Sequence, residues 1–432
     1  MSDRRARPAV AASLALLLGA IAVFLPGDRP HPHQVARSAG HSAFIGNVDV
    51  TGLGFEGAVL ALRAELAFLL EGEVALMAGD ERLAAASLRE FGIEPLLEES
   101  VRRALEASAG GEGTGNGARA EAEKENESQD EVQAGSLLWR VDRAALRERL
   151  TRLAAEVFEP PRNAVVSPED GRILPERDGR MLDPAEAEAS IVAWLENWHA
   201  GEGAIRLPVR KVAPTVRKAA LEELAAQFDG FGRTLLTGYT TYYDESLAGR
   251  AANVRLAARL IDGVVLRPGE VFSFNGIVGP RLLERGFRPA PEIVDEEFVE
   301  GVGGGICQVS STLFNAALYA DLKIVERYRH SVPLGYVPPG RDATLQYGVM
   351  DFRFQNTLDE PVVVRAEAGG GRLRVSLWGR EPLPFDVRLT AEEIVVPFPE
   401  VIELDPALGV GETALDEAGA PGKWIIVSKV IR

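Results

Sequence analysis

Apolar residues recur at two spacings along this chain, three to four apart in some stretches and every second position in others, and the two spacings alternate over short distances. Residues 47–53 read as a short strand and turn, and residues 58–70 then place Leu62, Leu66 and Leu69 on one helical face. Residues 83–105 repeat the theme and end in a helix with Leu97, Val101 and Leu105 four apart. Helical spacing over 144–158 stops at Pro160-Pro161, a strand-like 163–166 follows, and Pro168-Glu169-Asp170-Gly171 marks a hairpin. Asp183 as N-cap and Pro184 at the first helical position open a helix that runs to Trp198, and 205–212 reads as a strand. Helices and strands mixed in this way predict an α+β fold.

From Leu235 the character changes. Residues 239–243 are strand-like, 250–261 are helical, and Pro268-Gly269 is a turn leading into an extended 271–275. A helix is expected over 308–320, burying Val309, Leu313, Ala316, Ala317 and Ala320. Strands are expected over 323–328, 344–347, 351–356, 362–366 and 373–378, with Gly369-Gly370-Gly371 as the hairpin between the last two.

Composition narrows the class. With 432 residues and 46% hydrophobic content there is material for two or three real cores. A formal net charge of -17 argues against nucleic-acid binding and against adhesion to anionic lipid. Arg4, Arg5 and Arg7 precede an apolar run over residues 10–25 that Pro26-Gly27-Asp28 ends, the pattern of an export signal or signal anchor. No small-residue cleavage site follows closely, so the expectation is an uncleaved single-pass membrane anchor with a tether to residue 43 and the bulk of the chain outside the cytoplasm; a secreted form after cleavage is the alternative. Residues 108–135, rich in glycine and glutamate and lacking a large apolar residue until Val132, read as a disordered insertion.

The chain has one cysteine, Cys307, where the glycines of Gly301-Val302-Gly303-Gly304-Gly305 run into the predicted helix. One cysteine forms no internal disulfide and no cysteine-rich zinc site, so no metal or other cofactor is expected. A helix N-terminus favours a thiolate and can hold an oxyanion beside it. A nucleophilic cysteine also needs an imidazole and a group to orient it. His330 is the only histidine in the C-terminal half, and Asp342 and Asp351 are the carboxylates that could orient it, Asp342 being favoured for its place after a Pro-Pro-Gly turn. Plainer roles exist for each. Cys307 could be a small buried hydrophobe, His330 could close a strand, Asp342 could form a turn or pair with Arg341, and Ser310 and Ser311 read as hydrogen-bonders at the helix start.

At these residues the chain resembles the VanW family. The resemblance rests on Arg250-Ala251-Ala252-Asn253, Pro268-Gly269-Glu270-Val271-Phe272-Ser273-Phe274-Asn275, Val278-Gly279-Pro280-Arg281, the glycine and cysteine segment through Thr312, and Tyr336-Val337-Pro338-Pro339-Gly340-Arg341-Asp342-Ala343-Thr344. It implies a VanW domain over 235–380 with the cysteine helix on an antiparallel sheet, a small β tail over 381–432, and a peptidoglycan-binding region over 44–230. It also implies an L,D-transpeptidase that joins peptidoglycan stem peptides by 3-3 cross-links, with Cys307, His330 and Asp342 catalytic. Gly305, Gln308, Ser310 and Arg341 are then expected around the oxyanion and substrate. A cysteine hydrolase or amidase of the wall and a non-catalytic wall-binding scaffold are the alternatives.

Overall fold

The helix that carries Cys307, Ile306–Tyr319, is buried on nearly every face, Val309 through Ala317 being in the core without a break. A helix apolar or small all round needs neighbours on all sides. In the computed structural model, which describes residues 43–109, 130–134, 137–198, 203–294, 297–397, 407, 414 and 422–432, it has them. The helix packs on Thr234–Tyr242 and Arg372–Gly379, neighbours in a four-stranded antiparallel sheet completed by Val362–Gly369 and Val265–Leu266. The helix Ala248–Ile261 lies against it and against Val362–Gly369.

A second antiparallel sheet, Val271–Ser273, Arg353–Gln355 and Lys323–Glu326, closes the core with aromatic rings: Phe272 stacks on Phe354 at 5.0 Å, and Phe314 meets Phe352 edge-on at 5.6 Å. The hairpin Pro289–Val294 with Glu297–Val302 delivers the chain to the glycine run. Residues before 210 build their own core, in which Trp139 and Trp198 meet edge-on at 6.3 Å. Asp183 caps the helix Pro184–Glu196 by accepting from the N–H groups of Ala185 and Glu186, as its residue type predicts. A smaller apolar cluster that includes Val166, Leu224, Phe231 and Val363 joins this region to the four-stranded sheet. The C-terminal ribbon pairs Val387–Val396 with Gly422–Ile431.

The α+β class stands, and several expected elements differ in detail. The helix expected over 58–70 is two, Phe55–Glu65 and Ala67–Glu71, broken at the buried Leu66. Leu207-Pro208 divides the strand expected over 205–212, so that Ala204–Arg206 runs parallel to Val74–Ala78 while Val209–Val212 pairs with Gly179–Leu182. Ser273 accepts from the Gly276 N–H at 3.0 Å and ends the expected extended segment, of which Val271–Ser273 is a strand, by opening a short helix, Phe274–Val278. Residues 344–347 form no strand; only the isolated bridges of Thr344 to Tyr328 and Gln346 to Met350 occur there. Asp130–Ala134, at the end of the expected insertion, is a strand paired with Leu137–Val141, and residues 110–129 lie outside the described residues.

The expected membrane anchor is corrected. Its run, residues 10–25, lies outside the described residues, and among the described residues no helix is long and apolar enough to cross a membrane. As a helix, a run of that length rises only about 24 Å, short of the roughly 30 Å of a bilayer's hydrocarbon core.

Candidate active site

Three glycines set the entry to the cysteine helix because four neighbours come close to their backbones. A Cβ on Gly303 would lie 2.8 Å from Arg281 Cγ, one on Gly304 2.6 Å from the carbonyl oxygens of Ala290 and Pro291, and one on Gly305 2.8 Å from Arg250 Cγ. Gly303 and Gly305 also hold φ of 101° and 102°, where a side chain is strained. The buried Asn253 fixes this turn, its Nδ2 donating to the carbonyls of Arg288 at 2.8 Å and Gly304 at 3.0 Å, and its Oδ1 accepting from the Arg288 N–H at 2.8 Å.

Cys307 follows as the second residue of the helix and is half-buried. Its own N–H has no hydrogen-bond partner among the described residues, as expected of a first-turn amide. The thiol lies 3.8 Å from Thr344 Oγ1, with His330 and the Leu345 backbone N–H near enough to act on its charge. Burial disfavours the thiolate, but His330, with Leu345 and Thr344, outweighs it and holds the Cys307 pKa below the usual thiol value.

His330 Nδ1 lies 2.7 Å from Asp342 Oδ2, which leaves Nε2 to the thiol. The same carboxylate oxygen accepts the His330 backbone N–H at 2.7 Å. Burial opposes protonation of the ring, yet Asp342 and Cys307 on its two sides raise its pKa to about 9. Asp342 is held below the usual carboxylate range: desolvation works against ionisation, and the two His330 donors and Arg327 overcome it. The shifts of all three groups run in the direction of a thiolate and an imidazolium beside an ionised aspartate, an arrangement that could serve nucleophilic chemistry.

A family model described as VanW like protein matches residues 249–378, the span that holds all three residues. The chain is 39% identical over 241 residues to YoaR, an uncharacterized protein of Bacillus subtilis (strain 168), a match covering 56% of this chain and 76% of that one. The chain belongs to the VanW family. It is also 30% identical over 128 residues to the vancomycin B-type resistance protein VanW of Enterococcus faecalis (strain ATCC 700802 / V583), covering 28% of this chain and 46% of that protein. No solved structure matches.

Within the VanW domain the other expected site residues lie elsewhere than expected. Gln308 is buried, with Nε2 donating to Thr241 Oγ1 and the Tyr242 carbonyl and Oε1 accepting from Arg250 at 2.6 Å, so it ties the helix to the sheet and has no group left for substrate. Its N–H bonds the Gly305 carbonyl at 3.1 Å, which removes it as an oxyanion donor and leaves that of Cys307. Ser310 is buried and donates to the Ala343 carbonyl at 2.6 Å, holding the Asp342 segment on the helix. Arg341 is buried between the rings of Tyr239 and Tyr319, with Nε on Asn315 Oδ1 at 2.6 Å; it braces the helix and is not a substrate contact. Gly305 takes part through its backbone conformation. Asp351 accepts from Ser273 Oγ and from the N–H groups of Asn275 and Phe352, and does not reach His330.

Sequence reasoning passed over Arg327, Thr344 and Tyr336. Arg327 donates to Asp342, Thr344 lies beside the thiol, and the Tyr336 phenol lies within the field of Cys307, burial raising its pKa. Tyr336 and Thr344 are the ends of a motif already quoted and Arg327 lies three residues before His330, but their types are too common to mark them. Among the described residues no group of three or more His, Cys, Asp or Glu could hold a metal ion.

Proposed function

We propose that the VanW domain of this chain is a cysteine acyltransferase of the cell wall, an L,D-transpeptidase that forms 3-3 cross-links between peptidoglycan stem peptides. The observation that carries this reading is the alignment of Cys307 at a helix start with His330 and Asp342, the His330 ring lying 2.7 Å from the Asp342 carboxylate. Membership in a family that includes a vancomycin B-type resistance protein supports a role at the wall.

In this mechanism the Cys307 thiolate attacks the carbonyl of the third stem residue, and the Cys307 N–H stabilises the tetrahedral oxyanion. The His330 imidazolium gives its proton to the departing amine of the terminal D-amino acid as the C–N bond breaks, leaving a thioester and a neutral imidazole. The amine of a second stem then attacks the thioester, His330 takes the proton, and the new amide forms as the thiolate leaves. Asp342 holds the ring in one tautomer throughout. Water in place of the second amine gives hydrolysis from the same thioester.

The test is incubation of the purified full-length protein with defined tetrapeptide muropeptides and identification of products by mass. A dimer lacking one terminal D-amino acid is the expected product, and Cys307→Ala is expected to give none. A tripeptide alone makes the protein a hydrolase, and no product from a folded wild-type protein overturns both.

A further inference from the structure

Arg250 and Arg281 lie against the glycine run and Arg285 lies in the field of Arg281, and two of these three arginines have acceptors. Arg250 donates to Gln308 Oε1 at 2.6 Å, and Arg285 donates to the Pro280 carbonyl at 3.1 Å. Arg281 differs. Its Nη1 and Nη2 are both buried and neither has a hydrogen-bond partner among the described residues. Its side chain crosses Gly303, four residues before the cysteine, where only the absence of a Cβ admits it, and its guanidinium lies 5.7 Å from the Tyr347 ring centre.

Leaving guanidinium N–H groups buried without acceptors is costly and uncommon, and a pair on one planar fork matches the two oxygens of a carboxylate. The surrounding charges leave Arg281 without a local counterion. Asp342 is engaged by His330 and Arg327, and the thiolate by His330. Asp351 acts on Arg281 through its field, while its oxygens are occupied by Ser273, Asn275 and Phe352. Burial pulls the Arg281 pKa below the usual guanidinium value against the fields of Cys307 and Asp351, so an incoming anion would relieve it.

We propose that Arg281 binds a substrate carboxylate beside Cys307, so that the enzyme acts on peptides whose free C-terminal carboxylate belongs to the residue just after the bond attacked. The proposal rests on the reading of Cys307 as nucleophile and adds the residue that reads the carboxylate of the leaving amino acid, which would exclude internal peptide bonds. Arg281 is thus a specificity residue for the leaving group, distinct from the groups that move protons.

Alkylation of Cys307 tests this without any wall substrate. The rates for iodoacetate, which carries a carboxylate, and iodoacetamide, which does not, are measured on the full-length wild type, Arg281→Gln and Arg281→Lys, with folding checked by circular dichroism. The expected result is an iodoacetate to iodoacetamide ratio at least about tenfold higher in wild type than in Arg281→Gln, part of it kept in Arg281→Lys. In wild type alone, acetyl-D-alanine is expected to protect Cys307 from iodoacetamide at concentrations about tenfold below those of its carboxamide, a reading that stands if the variants do not fold. An unchanged ratio in folded Arg281→Gln, equal slowing of both reagents, or equal protection by the two ligands overturns the carboxylate assignment while leaving the nucleophile intact. A wild-type Cys307 inert to both reagents overturns the nucleophile reading and this one with it.

Discussion

Arg327 grips Asp342 at both ends, with Nε donating to its backbone carbonyl at 2.6 Å and Nη2 to its Oδ1 at 2.9 Å. The carboxylate oxygen left over, Oδ2, is the one that meets His330. The arginine therefore fixes which oxygen faces the ring and helps keep the carboxylate ionised, and the ring's other nitrogen is left free to act on the thiol.

Asp342→Asn is expected to keep the fold and lower turnover on the order of 100-fold or more, because an amide neither stabilises the imidazolium nor enforces its tautomer. Asp351→Asn removes a carboxylate that accepts from Ser273, Asn275 and Phe352 and should cost about 1–2 kcal/mol of stability with turnover within a few-fold of wild type. Thermal melts and rates on one muropeptide check the pair. The reverse ranking of rates would show that the wrong carboxylate was assigned.

The pH profile follows from the two shifted groups. His330 stays protonated up to about 9, while Cys307 ionises below the usual thiol value, so the charged pair exists between these limits. Turnover should fall as pH rises through about 9, where the imidazolium that protonates the leaving amine is lost. It should also fall below the lowered thiol pKa, where the nucleophile is protonated. In His330→Ala the thiol loses its largest favourable partner and keeps its burial, so its ionisation moves up, read as slower iodoacetamide labelling at neutral pH. An unshifted labelling curve in that variant would show that His330 does not set the thiolate.

That Cys307 and His330 were worth singling out was legible in the sequence because they are scarce types, one cysteine in the chain and one histidine in its C-terminal half, and the choice of Asp342 over Asp351 as the neighbour of His330 agrees with the 2.7 Å contact. Gln308 lies away from the thiol for a geometric reason: on a helix the next residue turns about 100° away, so Gln308 faces the sheet at Thr241, whereas Ser310 is the hydrogen-bonder at the helix start that its residue type suggests, donating to the Cys307 and Ala343 carbonyls. Arg327 leaves no trace in the pattern, since arginine is frequent here, and Arg281 stands in a quoted motif without anything in its spacing to say what it meets. The helix 306–319 and the strands that flank it followed from apolar spacing, whereas residues 344–347 alternate like a strand but serve as a loop lying against the thiol.

Arg327→Met removes donors from the Gly340 and Asp342 carbonyls and from Asp342 Oδ1 in a partly buried site, and should cost roughly 2–4 kcal/mol of stability. Its effect on turnover should appear in kcat, about 10- to 100-fold, with KM little changed, since Arg327 acts through Asp342 and touches no substrate. Arg327→Lys restores the charge without the fork and is expected to recover only part of kcat. A KM effect of the same size with kcat unchanged would mean that Arg327 meets the substrate itself.

Gly305→Ala tests whether the glycine run serves the site or merely the turn. The residue holds φ of 102°, and a methyl group there would press on Arg250 Cγ at 2.8 Å and Nη1 at 3.0 Å. Strained backbone of this kind costs on the order of 1–2 kcal/mol, and displacing Arg250 loosens its 2.6 Å bond to Gln308, the residue after the nucleophile. The expected outcome is a lower melting temperature together with slower alkylation of Cys307, because the first turn of the helix shifts relative to His330. Gly335→Ala is the control: nothing lies within 4 Å of the added methyl and no strained φ is held there, so the change should stay within about 0.5 kcal/mol. If Gly305→Ala melts lower while Cys307 is alkylated at the wild-type rate, the glycine serves folding only, and the placement of the thiolate does not depend on Arg250.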